Sequence, residues 1–130
     1  MTTNLTTPRR RAIVASMLAA AAVTGVLGST APAAAASDKY VALSYSPSYR
    51  HYAFGINENK DAAVGRSMFA CNERAGACQL LAWSKNGCVA LAQGNGGTYY
   101  GWHGATKTEA QQGAKQRSGP GSYVIDTKCV

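Results

Sequence analysis

The chain has 130 residues, with 13 lysines and arginines against 6 aspartates and glutamates, 2 histidines and 4 cysteines. That length carries one small domain beside any targeting segment. The basic residues are scattered, which excludes a charged tail or a nucleic-acid stripe, and so few histidines and carboxylates supply little for a metal cluster or an acid–base pair.

The first element in chain order is a leader. Arg9, Arg10 and Arg11 form a positive start, residues 12–27 are apolar and rich in alanine, and Ala34 and Ala36 satisfy the small-residue rule for cleavage between Ala36 and Ser37. A spanning helix needs about 20 predominantly apolar residues. This stretch is shorter and runs into a cleavage pattern, so we expect residues 1–36 to be a signal peptide, with no permanent membrane anchor left behind. Arg10-Arg11-Ala12-Ile13-Val14 also resembles a twin-arginine export signal, and three arginines suit general secretion as well. Removing Arg9, Arg10 and Arg11 leaves ten basic and six acidic residues, a charge of +4 for residues 37–130. A mild positive charge outside a cell favours anionic wall polymers or phospholipid head groups, and it also serves plain solubility.

In residues 40–45 the side chains alternate, with Val41, Leu43 and Tyr45 on one face. Ser46-Pro47-Ser48 is turn chemistry, and residues 51–56 alternate again, with Tyr52, Phe54 and Ile56 on one face. A helix follows, with Asn59 as its N-cap and Asp61 near its positive end. Residues 79–84 read as a closing strand. The same order then returns: Val89 and Leu91, a Gly94-Asn95-Gly96-Gly97 turn, Tyr100 and Trp102. Thr106 and Glu109 form a capping box that opens a second helix. Ser118-Gly119-Pro120-Gly121 breaks it, and residues 123–127 close the half.

The two halves repeat at a spacing of 48. Val41-Ala42-Leu43 returns as Val89-Ala90-Leu91, Tyr52-Ala53-Phe54 as Tyr100-Gly101-Trp102, and Gly65 as Gly113. Positions 41–65 hold six identities, where chance gives roughly two. A duplication of this kind predicts an α+β fold: two tandem strand–hairpin–strand–helix–strand halves, about 40–85 and 88–129, in one mainly antiparallel sheet with two helices. The uniform spacing further predicts that Gly65 and Gly113 are matched points of close helix-to-sheet approach. It also places Tyr52, Phe54, Tyr100 and Trp102 as core residues facing the helices.

Four cysteines in a short exported domain read as two disulfides, and they allow three pairings. We favour Cys71–Cys78, a short closure inside half one, and Cys88–Cys129, which ties the start of half two to the last strand. Loop-closure entropy assigns these about 2.5 and about 4 kcal/mol. Spacings of 7, 10 and 41 fit neither the common zinc patterns nor a C-x-x-C redox motif.

The features together resemble a bacterial secreted family known as domain of unknown function 4189. The likeness runs from about Tyr40 to Cys129. It rests on residues 41–46, Tyr52-Ala53-Phe54-Gly55, Cys71 to Cys78 with Gln79-Leu80-Leu81-Ala82-Trp83, Cys88-Val89-Ala90-Leu91-Ala92, and Tyr100-Gly101-Trp102. Half two departs from half one in having no cysteine pair that matches Cys71 and Cys78, and residues 118–122 replace that region. The resemblance implies export and a small α+β fold, and no activity.

Chemistry is sparse. Asp61 and Glu109 are explained as helix-start residues, and Gly65-Arg66-Ser67-Met68-Phe69 lacks the last glycine of a nucleophile elbow. Gly94-Asn95-Gly96-Gly97 precedes a strand, so it is a hairpin turn rather than a phosphate cradle. We therefore assign no catalytic residue, metal site or cofactor. Tyr49, His51, Tyr99 and His103 are the candidate binding surface, because aromatic residues at turns can stack on sugars or anchor a partner. The expectation is a small secreted, non-enzymatic domain, outside the cell or on its wall. It would bind an envelope component, such as an anionic wall polymer, or a protein. The alternatives are a structural envelope protein and a small exported hydrolase or hydrolase inhibitor acting on the wall.

Overall fold

The computed structural model describes residues 35–130 of the chain, so the expected leader lies almost wholly outside the described residues; Ala36 and Ser37 are exposed and without regular structure. The first strand, β1 (Tyr40–Ser46), explains the layers around it. Val41, Leu43 and Tyr45 point one way, Ala42, Ser44 and Ser46 the other, and all six are buried. A strand buried on both sides needs two covers. In its sheet β1 lies between β2 (His51–Asn57) and β3 (Gln79–Lys85), antiparallel to both. The second half repeats this with β4 (Cys88–Gln93) between β5 (Tyr99–Gly104) and β6 (Tyr123–Cys129).

The large-residue faces of β1 and β4 meet. Val41, Leu43, Val89 and Leu91 are fully buried in one cluster, with Ala82 beside them. The small-residue faces take the helices α1 (Lys60–Arg74) and α2 (Lys107–Ser118). Ala63, Ser67 and Cys71 of α1 are buried over the first sheet, and Ser67 meets Ser44 at 2.7 Å. Ala110 and Ala114 of α2 are buried against Cys88, Ala90 and Ala92. The layers therefore run helix, sheet, sheet, helix. The α+β fold in tandem halves is present, with the six strands divided into two three-stranded sheets, not joined in one. The cause is the second face of β1 and β4. Alanine and serine there are small enough to seat a helix, so each half forms its own sheet and uses the other half as the cover for its large residues.

Both helices begin where the sequence predicts. The Asn59 side chain accepts from the Ala62 N–H at 3.1 Å, and Thr106 and Glu109 complete a reciprocal capping box.

The repeat is not uniform. Leu43 faces Phe54 and Leu91 faces Gly101, so Phe54 corresponds to Gly101, 47 residues on, while β1 and β4 correspond at 48. The caps Asn59 and Thr106 keep the spacing of 47, as do Ala63 and Ala110. The slip arises in the turns. Residues 47–50 join β1 to β2, whereas the Gly94 N–H donates to the Thr98 carbonyl at 2.9 Å and leaves only residues 95–97 as the loop. Gly97 takes φ +75° there.

One residue fewer sends every following strand side chain to the opposite face. Tyr52 and Phe54 consequently lie between the sheets, against the Val41–Leu91 cluster, and not against a helix. Trp102 packs toward α2 as expected, beside Ala90 and Ala110, while Tyr100 is 37% exposed.

The slip also dissolves the predicted match of Gly65 with Gly113. Gly65 is exposed, and a Cβ added there would meet nothing within 4 Å. The close approaches are at Gly55 and Gly113. A Cβ on Gly55 would run into the Ala63 carbonyl oxygen and lie 2.5 Å from the Ser67 nitrogen of α1. Trp102 occupies the corresponding strand position in half two, and Gly113 replaces Arg66 on the helix above it; a Cβ on Gly113 would overlap the Trp102 ring. Each half thus places one glycine at the helix–sheet contact, on the strand in the first and on the helix in the second.

Cys71 is bonded to Cys78 and Cys88 to Cys129, and no cysteine among the described residues is free. Cys88 and Cys129 are direct cross-strand neighbours. Tyr40 and Lys85 hold the corresponding places in half one.

Candidate functional site

The duplication creates two related grooves, one at each open edge of the sandwich. The first runs between β3 and β5 under the end of α2. It encloses about 380 Å³ and is lined by residues 81–85 and 101–103 with Arg117. The second runs between β6 and β2 beside α1. It encloses about 640 Å³ and is lined by residues 54–56 and 126–128 with Arg66 and Ala70. Corresponding residues sit in corresponding places: Gly101 for Phe54, Trp102 for Gly55, His103 for Ile56, Arg117 for Ala70, and Trp83 for Thr127.

Phe54 and Gly101 hold corresponding places at the two edges. At Gly101 the strands pinch, since a Cβ there would lie 2.7 Å from Cβ of Leu81. At the other edge Phe54 and Tyr52 meet edge to face at 5.8 Å and fill the gap between the sheets. The Tyr52 hydroxyl crosses that gap and donates to Asp126 at 3.1 Å.

The lining of the narrow groove is aromatic and cationic. The Arg117 guanidinium lies 4.1 Å from the centre of the Trp102 ring; outside the lining, Lys60 Nζ at the start of α1 lies 4.0 Å from the centre of the Trp83 ring. His103 is exposed and stacks on Trp102 at 5.1 Å. Trp83 is 38% exposed. No carboxylate lines this groove. Lys85 is already engaged, in a 2.7 Å salt bridge with Asp38. The Lys85 hydrogen bond, helped by Asn86, holds the Asp38 carboxyl below its ordinary range, and Asp38 in turn raises Lys85.

Of the four residues expected to form a binding surface, Tyr49, His51 and Tyr99 lie at the end of the sandwich that carries the two hairpin turns, and His103 lies toward the other end. Tyr49 is 68% exposed in the first turn, and His51 opens β2 in a half-buried position. Tyr99 stacks on Tyr45 at 4.7 Å, in a shallow depression between the two hairpin turns. Burial, with Tyr99 nearby, pushes the Tyr45 hydroxyl above its ordinary value. His103 lies at the far end of β5 and lines the narrow groove. The residues that gather there with it, Trp83, Trp102 and Arg117, were not singled out by sequence as a site. Trp102 reads as core, and Arg117 reads as one scattered charge among ten. Among the described residues no three His, Cys, Asp or Glu side chains are grouped to hold a metal ion, and no helix is long and apolar enough to cross a membrane.

No curated protein and no solved structure matched the chain. The model of the family described as "Domain of unknown function (DUF4189)" matches residues 40–129, from the first residue of β1 to the cysteine that ends β6. With two helices, six antiparallel strands and both disulfides inside that span, the chain belongs to this family.

Proposed function

We propose that this protein is an exported, non-enzymatic binding module that holds an anionic, sugar-bearing polymer of the cell envelope in its narrow groove. The observation that carries this reading is the lining: Trp83 and Trp102, with the Arg117 guanidinium 4.1 Å from the centre of the Trp102 ring, beside an exposed histidine and without a carboxylate. The exposed part of the Trp83 indole suits stacking on a sugar ring, and Arg117 supplies positive charge that no acid lining the groove answers. Export is supported by the two disulfides, which persist in oxidising surroundings, and by the leader pattern of residues 1–36. The carboxylates of this chain argue against a hydrolase. Glu109 caps a helix, Asp38 is ion-paired, and Asp126 alone faces either groove, so no acid–base pair spans one.

The test is sedimentation of the oxidised protein with purified wall fragments, before and after their anionic polymers are stripped. Binding is expected to fall on stripping, to weaken as salt rises, and to drop about tenfold in Arg117→Ala, the loss of a charged contact. Equal sedimentation of stripped walls, or full binding by both Arg117→Ala and Trp83→Ala, overturns the proposal.

A further inference from the structure

We infer that the wide groove is a second binding site, and that its ligand is a small amino-carboxylate, a free amino acid or dipeptide carrying both an ammonium and a carboxylate. The inference is independent of the polymer proposed for the narrow groove.

Charges of both signs line the wide groove, and they do not neutralise one another. Asp126 is half-buried in its wall, with Lys128 two residues along the same strand face and Arg66 on the helix side. Among the described residues the only salt bridge within 4.0 Å is the distant pair of Lys85 and Asp38, so Asp126 has no cation in contact.

Both charged ends are held in place. One Asp126 oxygen accepts from the Tyr52 hydroxyl at 3.1 Å and the other from the Thr127 N–H at 2.7 Å. A carboxylate has about four acceptor sites, so each oxygen retains one for a ligand. Arg66 donates a single N–H to the Ile56 carbonyl at 2.9 Å, which fixes its guanidinium at the groove and leaves further donors free. Phe54, Ile56 and Ala70 form an apolar wall beside these groups. Such a space, with opposite charges on separate elements and an apolar flank, recognises a zwitterion: ammonium to Asp126, carboxylate to Arg66 and Lys128, side chain to the wall. The duplication sharpens the argument. The narrow groove has Ala82 and Ser84 where this one has Asp126 and Lys128, so the charged pair belongs to the wide groove alone.

The test uses alanyl-alanine as the probe, titrated into the oxidised, isotope-labelled chain while amide resonances are followed. Saturable shifts are expected at Ile56, Asp126 and Thr127. N-acetyl-alanyl-alanine, without the ammonium, and alanyl-alaninamide, without the carboxylate, are expected to bind about tenfold more weakly or worse. Asp126→Asn keeps the acceptor for Tyr52 and is expected to lose binding, while the exposed Lys128→Met weakens it without touching the core. The unchanged spectrum of each variant away from the groove reports that it is folded. Arg117→Ala leaves the dipeptide shifts intact, just as Asp126→Asn leaves wall binding intact, so the two sites fail or stand separately. Absence of saturation, equal binding of the acetylated probe, or full binding by Asp126→Asn overturns the inference.

Discussion

Gly65 and Gly113 match in sequence but not in space, and replacing each with alanine separates the two. Both lie inside helices, where alanine exceeds glycine by about 1 kcal/mol in intrinsic preference. That gain is common to both positions, so the difference between the variants isolates the contact each new methyl makes. At Gly65 nothing lies within 4 Å, and Gly65→Ala is expected to stabilise by about 1 kcal/mol. At Gly113 the methyl meets the Trp102 ring, which Arg117 covers on one side. Displacing a packed ring costs about 1–3 kcal/mol, so Gly113→Ala should fall below Gly65→Ala by that amount. In a domain of this size each kcal/mol moves the midpoint of thermal unfolding by roughly 4–8 °C, well within reach of melts followed by circular dichroism under oxidising conditions. Trp102→Ala provides the internal check. In that background the penalty vanishes and Gly113→Ala should gain about 1 kcal/mol, as Gly65→Ala does. Equal stabilisation by the two single variants would refute the slipped register and the seat it gives Trp102.

Three further outcomes follow from particular contacts. Ser67→Ala leaves the fully buried Ser44 hydroxyl without its 2.7 Å partner and should cost about 1–3 kcal/mol, whereas Ser44→Ala with Ser67→Ala should lie near the parent in urea melts, because half two carries Ala92 and Ala114 in those places. Replacing Cys88 and Cys129 with serine, which opens a loop of 41 residues, should cost about 4 kcal/mol, against about 2.5 kcal/mol for the loop of 7 between Cys71 and Cys78; the reverse order in denaturant midpoints would contradict the closure argument. Burial raises the Tyr45 and Tyr52 hydroxyls, with Tyr99 adding to the first and Asp126 to the second. The folded protein therefore holds these protons more tightly than the unfolded chain. Their contribution to stability is complete below the ordinary tyrosine value of about 10 and is lost as pH rises through the raised folded values. An ultraviolet titration should show two late-ionising tyrosines, one of which Tyr52→Phe removes.

Local chemistry was legible in the sequence because its causes lie within a few residues. Asn59 and Thr106 announce helices through hydroxyl or amide oxygens that meet N–H groups of the next turn. Alternation marked the strands of the two hairpins, and the cysteine count marked two disulfides. The site was harder to read. Tyr49 and Tyr99 drew notice as aromatic residues at turns, but Tyr99 stacks on Tyr45, and the tryptophans that line a groove carry no local signal that separates them from core.

What the sequence determined by itself was therefore the list of elements, their order, their caps and the existence of a duplication. What only the tertiary structure decided was how the halves face each other. Periodicity records that a face is buried and not what covers it, so two sheets packed across Val41, Leu43, Val89 and Leu91 look the same in sequence as one sheet under two helices. A turn one residue shorter is invisible to a repeat matched at 48, yet a strand's two-residue period converts it into an exchange of faces. That exchange places Trp102 over a helix glycine, lining the narrow, aromatic groove, and Phe54 between the sheets, lining the wide, charged one.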